Sequence, residues 1–404
     1  MNRTMKRIGQ ATLAMAAFGA VAAVAVPEAD AARRASMAQN LLILDKNDVY
    51  LFPQVGVEYT NLLSLEYGPA AGAGSGIALL GDESMAFGLG IYRGDIVDDH
   101  FFPYGLGHNN LGNIPNILGY AQPHTIVDLF ASMDLGGGLA GARLTLANGA
   151  NRLVDAENEV TSDGQTYVGL TAGYSMVGDM RLDAGLRFGL ATGGDQVADE
   201  SATAQTGFAL GLGVRGFSGL SDAVDLGFLF DAEFQSTSIT VFGDPDDFNA
   251  SSNQFHVLGG IGPAYDIDGV TTLAGYAVLG LQRSTDDPDT SEDLNRTHNM
   301  ILVIPGVHVA ADIQILEWLY FRTGMQYNFG SESETVEIDL DTARDSVVTS
   351  GRLSNFGWRT GIGLEIDNFT LDGAFQAGFI TNGPDFLGGN GGGMFTMVSA
   401  GYRF

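Results

Sequence analysis

Arg143, Arg181, Arg187, Arg215, Arg322, Arg359 and Arg403, with Glu66, Asp128, Asp183, Asp225, Asp231, Glu233, Glu365 and Asp372, are spread through segments that are otherwise aliphatic, aromatic or glycine. Their spacing is what makes them candidates for chemistry. Arg181 and Asp183, or Asp231 and Glu233, are two residues apart, so in an extended chain each pair projects from one face. Cations and carboxylates in near balance on a shared face can line an aqueous path and set a field across it. They can also form a tightly paired polar interior. A dry, unpaired burial is excluded by the desolvation cost.

Other reactive patterns are weaker. His100, His108 and His124 have spacings that match no zinc motif, and His256 and His308 stand alone on strand-like stretches, as wall residues with hydrogen bonds. The acidic runs DPDD (244–247), DDPDTSED (286–293) and ESETVEIDLD (332–341) lack the glycine and spacing of an EF-hand loop, and read as solvated loops. GLGVRG at 211–216 fits a dinucleotide-binding pattern in letters only, because it lies inside a strand-like run and opens no helix. G-x-S-x-G, H-E-x-x-H and Walker patterns do not occur. An enzyme is not expected, and no cofactor or metal is called for.

The elements that position these charges show a period of two. Leu182, Ala184, Leu186, Phe188 and Leu190 oppose Arg181, Asp183, Gly185, Arg187 and Gly189. Val224, Leu226, Phe228, Phe230, Ala232 and Phe234 oppose Asp225, Gly227, Leu229, Asp231 and Glu233. A helix would spread the charges around its circumference; a strand sorts them. The pattern predicts strands at 58–68, 74–81, 84–93, 125–134, 139–147, 165–177, 180–192, 205–217, 222–235, 253–265, 270–283, 297–311, 316–330, 351–366, 368–380 and 394–404. Sixteen is the expected number, or fourteen without the first two. Tight connections such as 178–179, 218–221, 312–315 and 367 alternate with long ones such as 94–124, 148–164, 193–204, 236–252, 284–296 and 331–350. That asymmetry, with a strand length sufficient to cross a tilted membrane path, points to an all-β transmembrane antiparallel barrel over 57–404.

The chain ends support the same reading. Arg3, Lys6 and Arg7 precede an apolar stretch of small residues and the sequence ADA at 29–31, so 1–31 is expected to be a removed signal peptide. Residues 32–56 show no clean strand pattern, and are expected to be a periplasmic segment that either tucks into the barrel as a partial plug or packs loosely as a linker. There is no cysteine, which excludes disulfides and thiolate metal sites. The net charge of −29, concentrated in the long connections, makes nucleic acid an implausible partner. The stretch 94–124 is long and apolar, and Phe101, Phe102, Tyr104, Ile114, Ile117, Leu118 and Tyr120 are candidates for a constriction folded into the lumen, or for a cap at its mouth.

The final strand, MFTMVSAGYRF, ends on Tyr402 and Phe404, and resembles the C-terminal strand of Gram-negative outer-membrane β-barrels. The resemblance implies an outer-membrane location among lipids and assigns Tyr402 and Phe404 to the signal read by the barrel-assembly machinery. The expected function is passage of small solutes through a water-filled lumen with an acidic, cation-favouring mouth. Homo-oligomers are compatible with this. The main rival resembles the long-chain fatty-acid transport family, in which 32–56 would supply an N-terminal hatch for a hydrophobic solute. A structural or adhesive barrel is a third reading.

Overall fold

A computed structural model describes residues 32–67, 74–91, 125–154, 160–197, 200–241, 248–267, 270–289, 296–340, 343–375 and 395–404. Residues 1–31, the expected signal peptide, and the candidate constriction residues Phe101 to Tyr120 lie outside them, as do His100, His108 and His124. Two short helices, α1 (Ala32–Ser36) and α2 (Asp48–Leu51), and a 3-10 helix (Pro53–Tyr59) precede the strands. The strands are β1 (Leu62–Tyr67), β2 (Gly74–Gly81), β3 (Met85–Ile91), β4 (Thr125–Asp134), β5 (Gly138–Val154), β6 (Val160–Met176), β7 (Met180–Val197) and β8 (Glu200–Ser221). They continue as β9 (Val224–Val241), β10 (Phe248–Ile267), β11 (Thr271–Asp289), β12 (Arg296–Leu316), β13 (Leu319–Leu340), β14 (Ala343–Ile366), β15 (Phe369–Phe375) and β16 (Phe395–Arg403). Each pairs antiparallel with its sequence neighbours, and β16 pairs with β1 to close the ring at sixteen.

The two faces of each strand separate as period two requires. Every strand from β3 to β16 exposes at least one large apolar or aromatic side chain, among them Phe87, Leu129, Leu170, Phe188, Leu210, Ile261, Leu279, Met325, Trp358 and Tyr402. A continuous outward belt of this kind far exceeds the few hundred Å² that a soluble monomer exposes. Hydrocarbon is the medium that stabilises it, so the barrel spans a membrane. The inward face carries the polar residues, and they are the buried ones: Asp128, Asp183, Arg215 and Asp231 are all 0% exposed.

Tight turns close one end. In the β2–β3 turn the Asp82 carboxylate accepts bonds from the Ser84 and Met85 N–H groups at 2.9 and 3.1 Å; in the β4–β5 turn Asp134 accepts from Gly136 at 2.7 Å. These side chains replace ladder partners lost at the reversal. Gly136 has φ +75°, a conformation that side chains disfavour.

Several boundaries depart from the sequence expectation. The reversal expected at 218–221 lies at Asp222–Ala223, since β8 stays paired to Ser221. The first strand begins at Leu62 rather than 58, because the 3-10 helix runs to Tyr59. The reversal expected at 312–315 lies at Glu317–Trp318, since β12 continues to Leu316 and carries Asp312 inward. The connections expected at 148–164, 193–204, 236–252, 284–296 and 331–350 are largely strand; β13 and β14 stay paired up to Leu340 and Ala343. These extensions reach beyond the ~9–11 residues that cross a bilayer. They pair through the backbone ladder with side-chain contacts such as Arg296 with Asp287 and His298 with Glu337, and their many Asp, Glu, Ser and Thr residues mask the strand pattern.

Residues 32–59 lie inside the ring. The inner wall is made for them by register: Ser132, Gly141, Gly173, Gly185 and Gly213 pair in sequence across β4 to β8, forming one row of small residues. A second row, Ala264, Ala274, Ala310 and Gly324, crosses β10 to β13. A Cβ at Gly185 would lie 2.5 Å from the Leu51 carbonyl, and one at Gly141 would collide with the backbone of Pro53 and Gln54. Replacing Gly141 with Val is therefore expected to lift 50–57 off the wall. Limited proteolysis in detergent should then cut within 32–59 while the barrel stays resistant; unchanged protection would contradict this docking.

Candidate functional site

The inward charges expected from sequence meet one another and the N-terminal segment. At the centre is Arg215 of β8. Its guanidinium donates to Asp183 of β7 at 2.9 and 3.1 Å, to Asp48 of α2 at 2.9 Å, and to the Leu41 carbonyl at 3.1 Å. The Phe52 ring covers it, 4.9 Å from the guanidinium carbon. Asp183 also accepts from Ser175 at 2.7 Å, and Ser175 in turn accepts from the Gln54 amide at 2.9 Å. Arg181 spans Asp183 and Glu58. Arg34 of α1 bonds Asp48 on its other oxygen. Wall and segment thus share one set of alternating charges.

A second set sits towards the tight-turn end. Arg33 donates to Asp45 at 2.8 Å and to Asp312 of β12 at 2.9 Å; Arg322 of β13 bonds Asp312 at 3.0 Å and Asp372 of β15. Burial is the largest influence on Asp45 and by itself raises its pKa. Arg33, Arg34 and Lys46 outweigh it and hold the carboxyl below its ordinary value. Burial likewise opposes charge on Arg33, but Asp45 and Asp312 raise its pKa.

The remaining sequence candidates divide by height and depth. Arg187 bonds Asp231 at 2.6 Å and Glu233 at 3.4 Å, and His256 shares Asp231 at 2.7 Å. Asp128 and Arg143 approach to 3.8 Å, with Thr145 donating to Asp128 at 2.5 Å and Thr171 accepting from Arg143 at 3.0 Å. His308 stacks on Tyr276 with ring centroids 4.8 Å apart. Arg359 is half-buried, whereas Asp225 and Glu365 are exposed near strand ends. Glu66 accepts from Ser75 at 3.4 Å, and the exposed Arg403 lies 6.0 Å over the Tyr59 ring. Tyr402 faces outward, and the Phe404 N–H donates to the Asn61 carbonyl at 3.0 Å.

Arg33, Arg34, Asp45, Asp48 and Gln54, and Asp312 on the wall, were not among the sequence candidates. The signal was present in part: 32–48 mixes Arg33, Arg34 and Lys46 with Asp45 and Asp48, a balance unlike the acidic remainder. Asp312 was lost by placing a turn over it.

Beside the segment at the tight-turn end is a cavity of about 510 Å³. Arg33, Lys46, Tyr59, Asp312, Tyr320 and Arg403 contribute to its walls, which include β1 and β11 to β16. The other side of the segment is packed against the glycine row.

No protein-family model matches this chain, and no curated protein does. Among solved structures, a Pseudomonas aeruginosa FadL homologue is similar over 94% of this chain and 99% of its own, at 10% identity and TM-score 0.40. The translocator domain of the Neisseria meningitidis autotransporter NalP matches over 67% and 90%, at 14% identity and TM-score 0.31. The Acinetobacter baumannii siderophore receptor PiuA matches over 78% of this chain and 62% of its own, at 8% identity and TM-score 0.40. All three are outer-membrane β-barrels. At this level the likeness concerns the barrel fold alone.

Two measurements test the site. Arg215→Leu leaves Asp48 and Asp183 buried without their cation, and should cost about 3–5 kcal/mol. The loss should shrink when Asp48→Asn is added, because the residues share one network; additive losses in thermal unfolding would contradict the pairing. Asp45 has a folded pKa below its ordinary 3.8, so its ionised form supports docking above that value and the support is lost as pH falls below it. Protease access to 32–59 should rise as pH drops from about 4, and Asp45→Asn should flatten that dependence.

Proposed function

We propose that this protein is a transport barrel of a Gram-negative outer membrane, closed at rest by residues 32–59, which carries small hydrophobic or amphipathic solutes when that segment gives way. The observation that carries the reading is the docking of the segment across the ring, fixed to the wall by Arg215–Asp48 and Arg33–Asp312. A freely open, water-filled pore fits less well. The inward charges spend their fields on one another, and four of them have no contact with solvent. The solute class rests on an apolar strip: Leu229, Leu258, Val278 and Val303 face inward on four neighbouring strands, β9 to β12. They join Leu41 and Leu42 of the segment in one cluster. Such a strip favours carbon-rich solutes over hydrated ions.

In planar bilayers the intact protein should give little steady conductance, and a variant lacking 32–59 should give stable steps. In liposomes the intact protein should still accelerate uptake of a small hydrocarbon probe. Equal, steady conductance with and without the segment would return the protein to the open-channel reading.

A further inference from the structure

The chain has a net charge of −29, and the arginines described so far turn inward. Among the residues whose side chains are described, Arg283, Arg296 and Arg352 are the cations on the outer face of the wall, and all three lie on one side of it, on β11, β12 and β14. Register fixes their direction. Arg283 stands opposite the exposed Phe255 and Met300, and Arg352 opposite the exposed Ser331. Their height follows from the same strands. Going away from the tight turns, the outer face of β11 reads Leu273, Gly275, Ala277, Leu279 and Leu281, then Arg283, Thr285 and Asp287. That of β14 reads Leu364, Ile362, Thr360, Trp358 and Phe356, then Ser354, Arg352 and Ser350. Both arginines sit just past the end of the apolar band, where hydrocarbon gives way to headgroups.

Only one of the three cations has an acid. Arg296 pairs with Asp287, and the neighbouring outward carboxylate, Glu337, has the His298 ring 3.5 Å away. Arg283 and Arg352 make neither an ion pair nor a hydrogen bond among the described residues. A guanidinium beside hydrocarbon is stabilised by an anion from outside the protein, and its planar fork matches two oxygens of a phosphate. The two arginines are three strands and two residues apart, which places their Cα atoms about 16 Å from each other. That spacing suits two separated anionic groups better than one. Between them the outer face carries hydroxyls: Ser331 and Ser333 on β13, Ser350 and Ser354 on β14. The Tyr327 hydroxyl lies 3.0 Å from that of Ser354. Nearer the tight turns the same strands present Leu279, Phe329 and Phe356, which are carbon surface for acyl chains.

We infer that the outer face of β11 to β14 is a seat for a phosphorylated glycolipid of the outer leaflet. Arg283 and Arg352 hold its phosphates, the serines between them meet its sugar hydroxyls, and the apolar band below receives its acyl chains. This rests on the barrel lying in a Gram-negative outer membrane, as in the reading above, and is independent of what crosses the lumen. It places the lipid against one side of the wall, where the chain's acidic surface is interrupted by cations.

The test titrates the intact protein in detergent micelles with a fluorescent acylated disaccharide bearing two phosphates. Arg283→Gln and Arg352→Gln should each weaken binding about tenfold, and the double variant more than either. Arg296→Gln, whose cation is already taken by Asp287, should change it less than about twofold. With the same disaccharide stripped of its phosphates, wild type and double variant should bind alike and weakly. Both arginines are exposed, so the variants keep the barrel, and a heat-dependent gel shift verifies this for each sample. Equal binding of the phosphorylated lipid by wild type and double variant would overturn the seat. Equal affinity for phosphatidylglycerol would reduce it to a contact with any lipid phosphate, and would overturn the glycolipid assignment. Neither result touches the transport reading, which conductance and uptake test separately.

Discussion

In hydrocarbon a backbone N–H or C=O group without a partner costs several kcal/mol, and no water is present to relieve it. Closing the sheet removes both edges, and the β1–β16 ladder, with Leu62 opposite Arg403 and Tyr67 opposite Val398, is where that closure is made. The other features follow from it. Once the ring is closed and surrounded by lipid, the apolar face of every strand turns outward, and the polar face must be satisfied within. The usual distribution of a soluble protein is reversed, with Phe188 on the surface and Asp183 in the core of the same strand.

Sixteen strands enclose more space than their own side chains fill. Here much of that space at the waist is taken by 32–59. Two physical devices fit it there. Small residues aligned by register make room for its backbone, and charges alternate between segment and wall so that few are left uncompensated. Arg215 illustrates the second device: fully buried, it is tolerable only because Asp48, Asp183 and the Leu41 carbonyl surround it together. An ionic seal of this kind specifies one docked position. It need not add much net stability, since desolvating the ions offsets much of their attraction.

The barrel itself was legible in the residues. Alternation in 180–191 and 224–234, the lack after residue 31 of an apolar run long enough for a helical span, and the spacing of tight turns point to a closed barrel of sixteen or fourteen strands and to the facing of each, because period two is a local property of the chain. The inward placement of Arg187, Asp231 and Glu233 follows from the same arithmetic. What only the tertiary structure decided is which residues stand side by side across strands. Gly141, Gly173 and Gly185 are ordinary strand glycines in sequence; register alone makes them a furrow. Asp48 and Arg215 are 167 residues apart. The extensions of β13 and β14 were likewise hidden, since their density of acidic and hydroxyl residues reads as a solvated loop even where Val336, Ile338 and Leu340 alternate with Glu337 and Asp339. Local alternation sorts a strand's two faces, but the contents of the lumen depend on contacts between distant segments, which no local period encodes.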